Sequence, residues 1–297
     1  MNRKISIQDF YSICLITGVI GLFFYDIWTL RVGFYSGDHR VQHYPWAQFF
    51  WGHLRQFKLP WWTSQIHCGF PLLAEGQIGA FYPLNLLFYY LFPIRLAYSY
   101  EVFAHYALAG LFCYVYLRSL KLSYGASLLG TFVYLFGSAQ GGYYYNITSQ
   151  KVLVWLPLAF YLTDQIVEQK RVLWTAWLSL IFAVQIFAGY LQYAIYAIGF
   201  SVFYFLWFSV LGFWRQKNLR EFLLRKMLLI GALILTGVIA LPQLLSTWEL
   251  AQFSNRASLT EAFAYLGSMN PLALVTLFYP HWDGFLGAEV YVGALGI

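Results

Sequence analysis

Phe81-Tyr82-Pro83-Leu84-Asn85-Leu86-Leu87-Phe88-Tyr89-Tyr90-Leu91-Phe92-Pro93 decides how the rest of the chain is read. If this run crosses a bilayer, every later apolar run reverses direction; if it does not, all of them keep theirs. Length argues against a crossing, because a spanning helix needs roughly 17–25 apolar residues and stretches of about 10–14 are re-entrant or interfacial. Charge argues the same way. With 81–92 kept on one side, Arg3, Lys4, Arg118, Lys121, Lys170, Arg171 and the cluster Arg215, Lys217, Arg220, Arg225 and Lys226 share one face, which the Lys/Arg rule for short loops makes cytoplasmic. Were the run to cross, that cluster and its neighbours would lie outside.

The candidate spans around this segment are Phe10–Leu30, Ala97–Leu117, Gly125–Gly142, Val152–Val167, Val172–Ala188, Leu191–Phe213 and Met227–Leu245. They predict a chain that starts in the cytoplasm and crosses seven times. A further apolar run opens at Val290–Ile297, and Gly296-Ile297 is no natural helix end, so the chain is expected to be the N-terminal part of a longer protein. Composition agrees with a membrane setting: of 297 residues 60% are hydrophobic, 22% aromatic and 10% charged, with a mean hydropathy of +0.59. A soluble domain carries roughly a quarter charged residues. The expected class is therefore an all-α polytopic membrane protein, with one transmembrane domain over residues 1–297.

Other classes fall away. The net charge of +6 is divided among small clusters between apolar runs, with no basic face or nucleic-acid-binding motif. Cys14, Cys68 and Cys113 form neither a disulfide framework nor a closely spaced zinc or redox motif. Arg3 and Lys4 precede an apolar run longer than the usual signal-peptide core of roughly 7–15 residues, and no small-residue cleavage site follows, so the first span is read as uncleaved.

Polar residues collect in Val32–Ala80, Gln140–Lys151 and Ser246–Glu289, all on the outer side of this topology. The first extracytoplasmic loop, residues 32–96, is the most informative. Asp38, His39, Arg40, Gln42 and His43 stand just past the membrane exit. Pro45 then suits a first helical turn, and Trp46, Phe49, Phe50, His53, Leu54 and Phe57 recur at spacings of three and four, the pattern of an amphipathic helix in the headgroup region. Asp38 is either a cap of a turn or helix or a reactive carboxylate; it lies too far before Pro45 to cap that helix directly. Trp61 and Trp62 read as part of an interfacial aromatic belt.

Ionisable residues within spans call for a functional reading. Glu101 and His105, four apart, share a helix face. With Asp26 they line a cavity opening outwards, or else Glu101 and His105 pair while Asp26 reaches the headgroups. Asp164 and Arg118 read as boundary residues, and Gln140, Gln185 and Gln192 as helix-to-helix glue. Asn146-Ile147-Thr148 has the form of a glycosylation acceptor, a triplet too common to carry weight.

An ordered series of loose motifs runs along the chain: Gly37-Asp38 with Gln42 and Pro45, Gly69-Phe70-Pro71, Gln77 with Phe81-Tyr82-Pro83, and Val154-Trp155-Leu156-Pro157-Leu158. Leu241-Pro242-Gln243 with Glu249, Ser254 and Arg256 follows, then Tyr291-Val292-Gly293. The series resembles the GT-C class of integral-membrane glycosyltransferases, and within it the bacterial YfhO-type membrane proteins. That resemblance implies a GT-C-like helical bundle whose large first outer loop carries juxtamembrane helices. It also implies inverting transfer of a sugar from a polyprenyl-phosphate donor to an envelope polymer, glycolipid or protein on the outer face. Asp38 would be the general base, and Arg40, Lys151 and Arg256 the cations for the leaving phosphate. Gln42, Glu75, Gln77, Glu101 and His105 complete the implied substrate-binding set. A divalent metal would draw on Asp38, His39, His43, Glu75 or Asp283, although the spacing before Pro45 does not fix the two histidines as a ligand pair. Two other readings compete: a transporter or flippase of lipid-linked saccharide working through Glu101, His105 and Asp26, and a non-catalytic envelope assembly protein. Transporters commonly contain internal repeats, and none is detectable here.

Overall fold

The structure, a computed structural model, describes residues 6–31, 33, 37–137 and 147–254. Of the described residues 79% are helical and none forms a strand; one isolated antiparallel bridge joins Thr63 and Phe70. The helices are α1 (Ile7–Phe23), α2 (Tyr25–Trp28), a π-helical turn (His39–His43), α3 (Tyr44–Leu54), α4 (Leu72–Glu75), α5 (Pro83–Leu91), α6 (Ile94–Ser119) and α7 (Tyr124–Phe136). After the interval 138–146 come α8 (Ile147–Leu153), α9 (Leu156–Gln169), α10 (Val172–Phe187), α11 (Leu191–Gln216) and α12 (Leu219–Gln252).

A helix occupies each of the seven apolar segments, and two of those segments are broken. The first splits at Phe24, between α1 and α2, where the Trp28 indole donates back to the Gly21 carbonyl at 2.8 Å. The fourth splits at Val154-Trp155; Pro157 then sits in the first turn of α9, where its missing N–H leaves no helical bond unmade. Among the described residues two helices, Leu191–Arg215 and Leu219–Gln252, are long and apolar enough to cross a membrane, while Ile7–Phe23, Tyr124–Phe136 and Val172–Phe187 are shorter apolar helices. The decisive run 81–93 folds as α5, whose nine residues extend only about 13 Å at roughly 1.5 Å each, too short to cross. It lies against α6 with Asn85 and Tyr89 buried.

The amphipathic reading of α3 needs a correction. Its spacing holds, but the apolar side faces protein rather than headgroups: Ala47 and Phe50 are buried, Phe50 meets Tyr89 with ring centroids 5.7 Å apart, and Trp46, Phe49 and Leu54 pack on the same core. Phe57, expected on that face, lies beyond the helix end and is 84% exposed. Helices α5 and α6 supply the apolar surface that lipid was expected to supply.

One end of the bundle gathers basic turns. Ser6 and Asp9 form a capping box at the start of α1. Asp9 also accepts from Arg118 Nε at 2.9 Å and the Tyr114 hydroxyl at 3.0 Å, both on α6, while the Ser6 and Tyr124 hydroxyls stand 3.0 Å apart. Lys170, after α9, reaches Glu221 on α12 at 2.6 Å. At this end the α6–α7, α9–α10 and α11–α12 turns each contain a lysine in the left-handed region, Lys121, Lys170 and Lys217, with φ of 66°, 53° and 54°.

The first loop is sewn to α12. Gln243 Nε2 donates to the Leu73 carbonyl at 3.0 Å, and the Thr247 hydroxyl to that of Ala74 at 2.8 Å. Gly76 and Gly189, at φ of 93° and 96°, allow the loop to touch the α10–α11 turn; a Cβ on Gly189 would lie 2.3 Å from the Gly76 carbonyl oxygen.

Candidate functional site

Gly37, at φ 52°, turns the chain into the π-helical turn, and Asp38 occupies its N-cap position. The Asp38 side chain is exposed and makes no capping hydrogen bond, so the capping alternative is not realised. Arg40 is exposed too, while His39 and His43 are buried. His39 Nδ1 and the Tyr98 hydroxyl share a hydrogen bond of 2.7 Å, tying the turn to α6. Gln42 Nε2 donates to Gln77 Oε1 at 3.0 Å; in turn Gln77 donates to Glu75 through Nε2 at 2.7 Å and through its backbone N–H at 2.9 Å. Residues 35 positions apart thus form one polar ladder, Gln42, Gln77 and Glu75.

Beneath lies a buried charged network. Glu101 is fully buried and forms an ion pair with Lys151 of α8, whose side chain is 4% exposed. The second carboxylate oxygen accepts from the Tyr89 hydroxyl at 2.9 Å, and Lys151 Nζ also donates to Asn85 Oδ1 at 3.0 Å. Asn85 spends its own amide on the carbonyls of Ile78 and Gly79, at 3.0 and 3.1 Å, so the ion pair is anchored to the turn before α5. His105 does not pair with the Glu101 side chain. Its Nδ1 is 2.6 Å from the Glu101 backbone carbonyl and its Nε2 2.7 Å from the Tyr82 hydroxyl, which also receives the Trp155 indole N–H at 3.0 Å. A charge pair this deep persists because both ions have hydrogen-bonding partners besides each other.

Between the turn and the network is a cavity of about 10 Å³, lined by His43, Trp46, Gln77, Tyr89, Tyr98 and Lys151 among others. His43 Nε2 is buried on that lining with no hydrogen-bond partner among the described residues. Burial, and after it the charges of His39 and Lys151, push the His43 imidazole down to about 3, so the ring is neutral at neutral pH and offers a lone pair or an N–H according to its tautomer. The turn therefore has two chemical sides: an outer one with a carboxylate and a guanidinium, and an inner one with neutral imidazole.

No family model, curated protein or solved structure matches this chain.

The sequence-derived set is thus divided. Gln42, Gln77 and Glu75 come together; Glu101 and His105 meet Lys151, Tyr82 and Tyr89; Asp38 and Arg40 stand on the exposed side of the turn. Asp26 does not join Glu101 and His105 around an outward cavity: it is 58% exposed and lies 3.8 Å from Arg31. Lys151, expected to face a phosphate, has its charge engaged by Glu101. Arg256 and Asp283 lie outside the described residues, as do Gln140 and Asn146. Among the described residues no group of three or more His, Cys, Asp or Glu side chains is placed to hold a metal ion. Tyr82, Asn85, Tyr89, Tyr98 and Trp155 were not expected at the site. Asn85 had a readable signal, as the single amide in an otherwise apolar and aromatic run.

Proposed function

We propose that this chain is a multi-pass membrane protein of GT-C type, with its N-terminus in the cytoplasm, that transfers a sugar from a polyprenyl-phosphate donor to an acceptor on the outer face. The observation carrying this reading is the turn at 38–43. It leaves the Asp38 carboxylate exposed while the hydrogen bonds of His39 and Gln42 hold the turn from within, which is what a general base needs in order to be both reachable and carried on a fixed backbone. The proposed topology draws support from the grouping of the basic turns with the start of α1 at one end, opposite the first loop. Arg40 is the described cation best placed for a leaving phosphate, since it shares the exposed side with Asp38.

The test is transfer of labelled sugar by purified protein in proteoliposomes. Asp38→Asn should lower the rate by roughly 100-fold or more, the usual contribution of a positioned base, with an unchanged melting temperature because the side chain is exposed. Transfer at the parental rate by a folded mutant would refute the assignment. A second reading, a flippase of lipid-linked saccharide, draws on the buried Glu101, His105 and Lys151. The same vesicles separate the two: a flippase moves donor without acceptor, and a transferase consumes it.

A further inference from the structure

We propose that the α11–α12 turn binds the phosphate headgroups of anionic phospholipids. Residues 214–226 contain five basic side chains and one acid, Glu221. That acid is already engaged, by Lys170 at 2.6 Å and Arg225 at 3.7 Å. Arg215, Lys217 and Arg220 are exposed and have no acidic partner among the described residues.

The depth of the turn suits headgroups. Met227 to Trp248 is a stretch of 22 uncharged residues, about 33 Å of helix at roughly 1.5 Å per residue, close to the hydrocarbon thickness of about 30 Å. With Met227 at the edge of that layer, Lys226 and the turn before it lie in the phosphate layer. Trp214, 68% exposed, marks the same level at the end of α11, and Lys217 Nζ lies 5.2 Å from its ring centroid, so the ammonium is held beside the indole. Lys217 also occupies a helix-ending position in left-handed backbone, φ 54°, which glycine or asparagine fills with less strain. A lysine there places a cation beyond the last carbonyls of α11, and the charge excess calls for an anion that the described residues do not provide. This inference depends on α11 and α12 crossing the membrane and not on glycosyl transfer.

The probe is fluorescent phosphatidylglycerol bound to the purified full chain in detergent, with phosphatidylcholine and inorganic phosphate as competitors. Arg215→Gln/Lys217→Gly/Arg220→Gln should weaken binding by roughly fivefold per basic residue, about 100-fold in all. The glycine relieves the backbone, and Lys217→Gly alone, expected to cost about fivefold, serves if the triple variant misfolds. Arg55→Gln/Lys58→Gln/Arg95→Gln removes the same charge from exposed side chains of the first loop and should bind as the parent does. Unchanged binding by the 215/217/220 variants overturns the proposal. So does an equal loss in the loop variant, equal competition by phosphatidylcholine, or displacement by millimolar phosphate, which would indicate a site for a free anion.

Discussion

Replacing Lys151 with methionine tests whether the buried ion pair organises the region beneath the loop. The change keeps an unbranched apolar side chain but leaves the Glu101 carboxylate, fully buried, with the Tyr89 hydroxyl as its remaining strong donor, and leaves Asn85 Oδ1 without the ammonium. Removing one member of such a pair costs about 3–5 kcal/mol. At about 2–4 °C per kcal/mol for a chain of this size, the melting temperature should fall by roughly 6–20 °C. Glu101→Gln/Lys151→Met removes both charges together and should recover more than half of that loss, because the uncompensated carboxylate is the main source of the penalty. Cys113 provides the assay. It is buried at 5% exposure, whereas Cys14 and Cys68 are exposed, so in a Cys14→Ser/Cys68→Ser background a thiol-reactive fluorophore reports opening of the core around α6. A Lys151→Met protein melting within about 2 °C of its parent would refute the reasoning, as would a double mutant no more stable than the worse single one.

Gly189→Ala should destabilise by roughly 1–3 kcal/mol, through left-handed strain and a Cβ 2.3 Å from the Gly76 carbonyl oxygen; limited proteolysis should show faster cutting between residues 55 and 70 as the loop loosens, and wild-type cutting would argue against the close contact. For His43, a folded value of about 3 against an ordinary 6.5 means that between those limits the unfolded chain binds more protons. Stability should therefore decline as pH falls through 6.5 toward 3, by up to about 1.4 kcal/mol per unit. His43→Leu should flatten the dependence of melting temperature on pH between 7.5 and 5; parallel curves would contradict the assigned burial.

Which segments form helices was readable because charges are scarce and most of the basic ones lie at ends: Arg118 and Lys121 fall at the α6–α7 turn, and Lys170 and Arg171 make the turn from α9 to α10. The brevity of α5 was readable from Pro83 and Pro93. The break at Phe24 had no local signal, since an aromatic run without glycine or proline is equally compatible with one continuous helix. Periodicity identified the apolar side of α3 but not what covers it, because lipid and protein interiors ask for the same residues. The site was legible in parts only. Glu101 drew notice as a charge within a span and Lys151 as an outer-face cation, yet their pairing brings α6 and α8 together, and a contact between distant segments leaves no periodic trace. Asp38 attracted attention by position and resemblance, whereas the bonds that hold its turn, from His39 to Tyr98 and from Gln42 to Gln77, depend on folding back across the loop.

The same ion pair also constrains how the chain is made. Lys151 follows Glu101 by 50 residues, so at synthesis rates of about 5–20 residues per second the carboxylate exists for roughly 3–10 s before its counterion emerges from the ribosome. If α6 enters the bilayer as the proposed topology has it, it carries during that interval an acidic group that hydrocarbon receives poorly, whereas the finished fold buries it fully. The Glu101–Lys151 contact between α6 and α8 therefore forms only after the later segment has been translated.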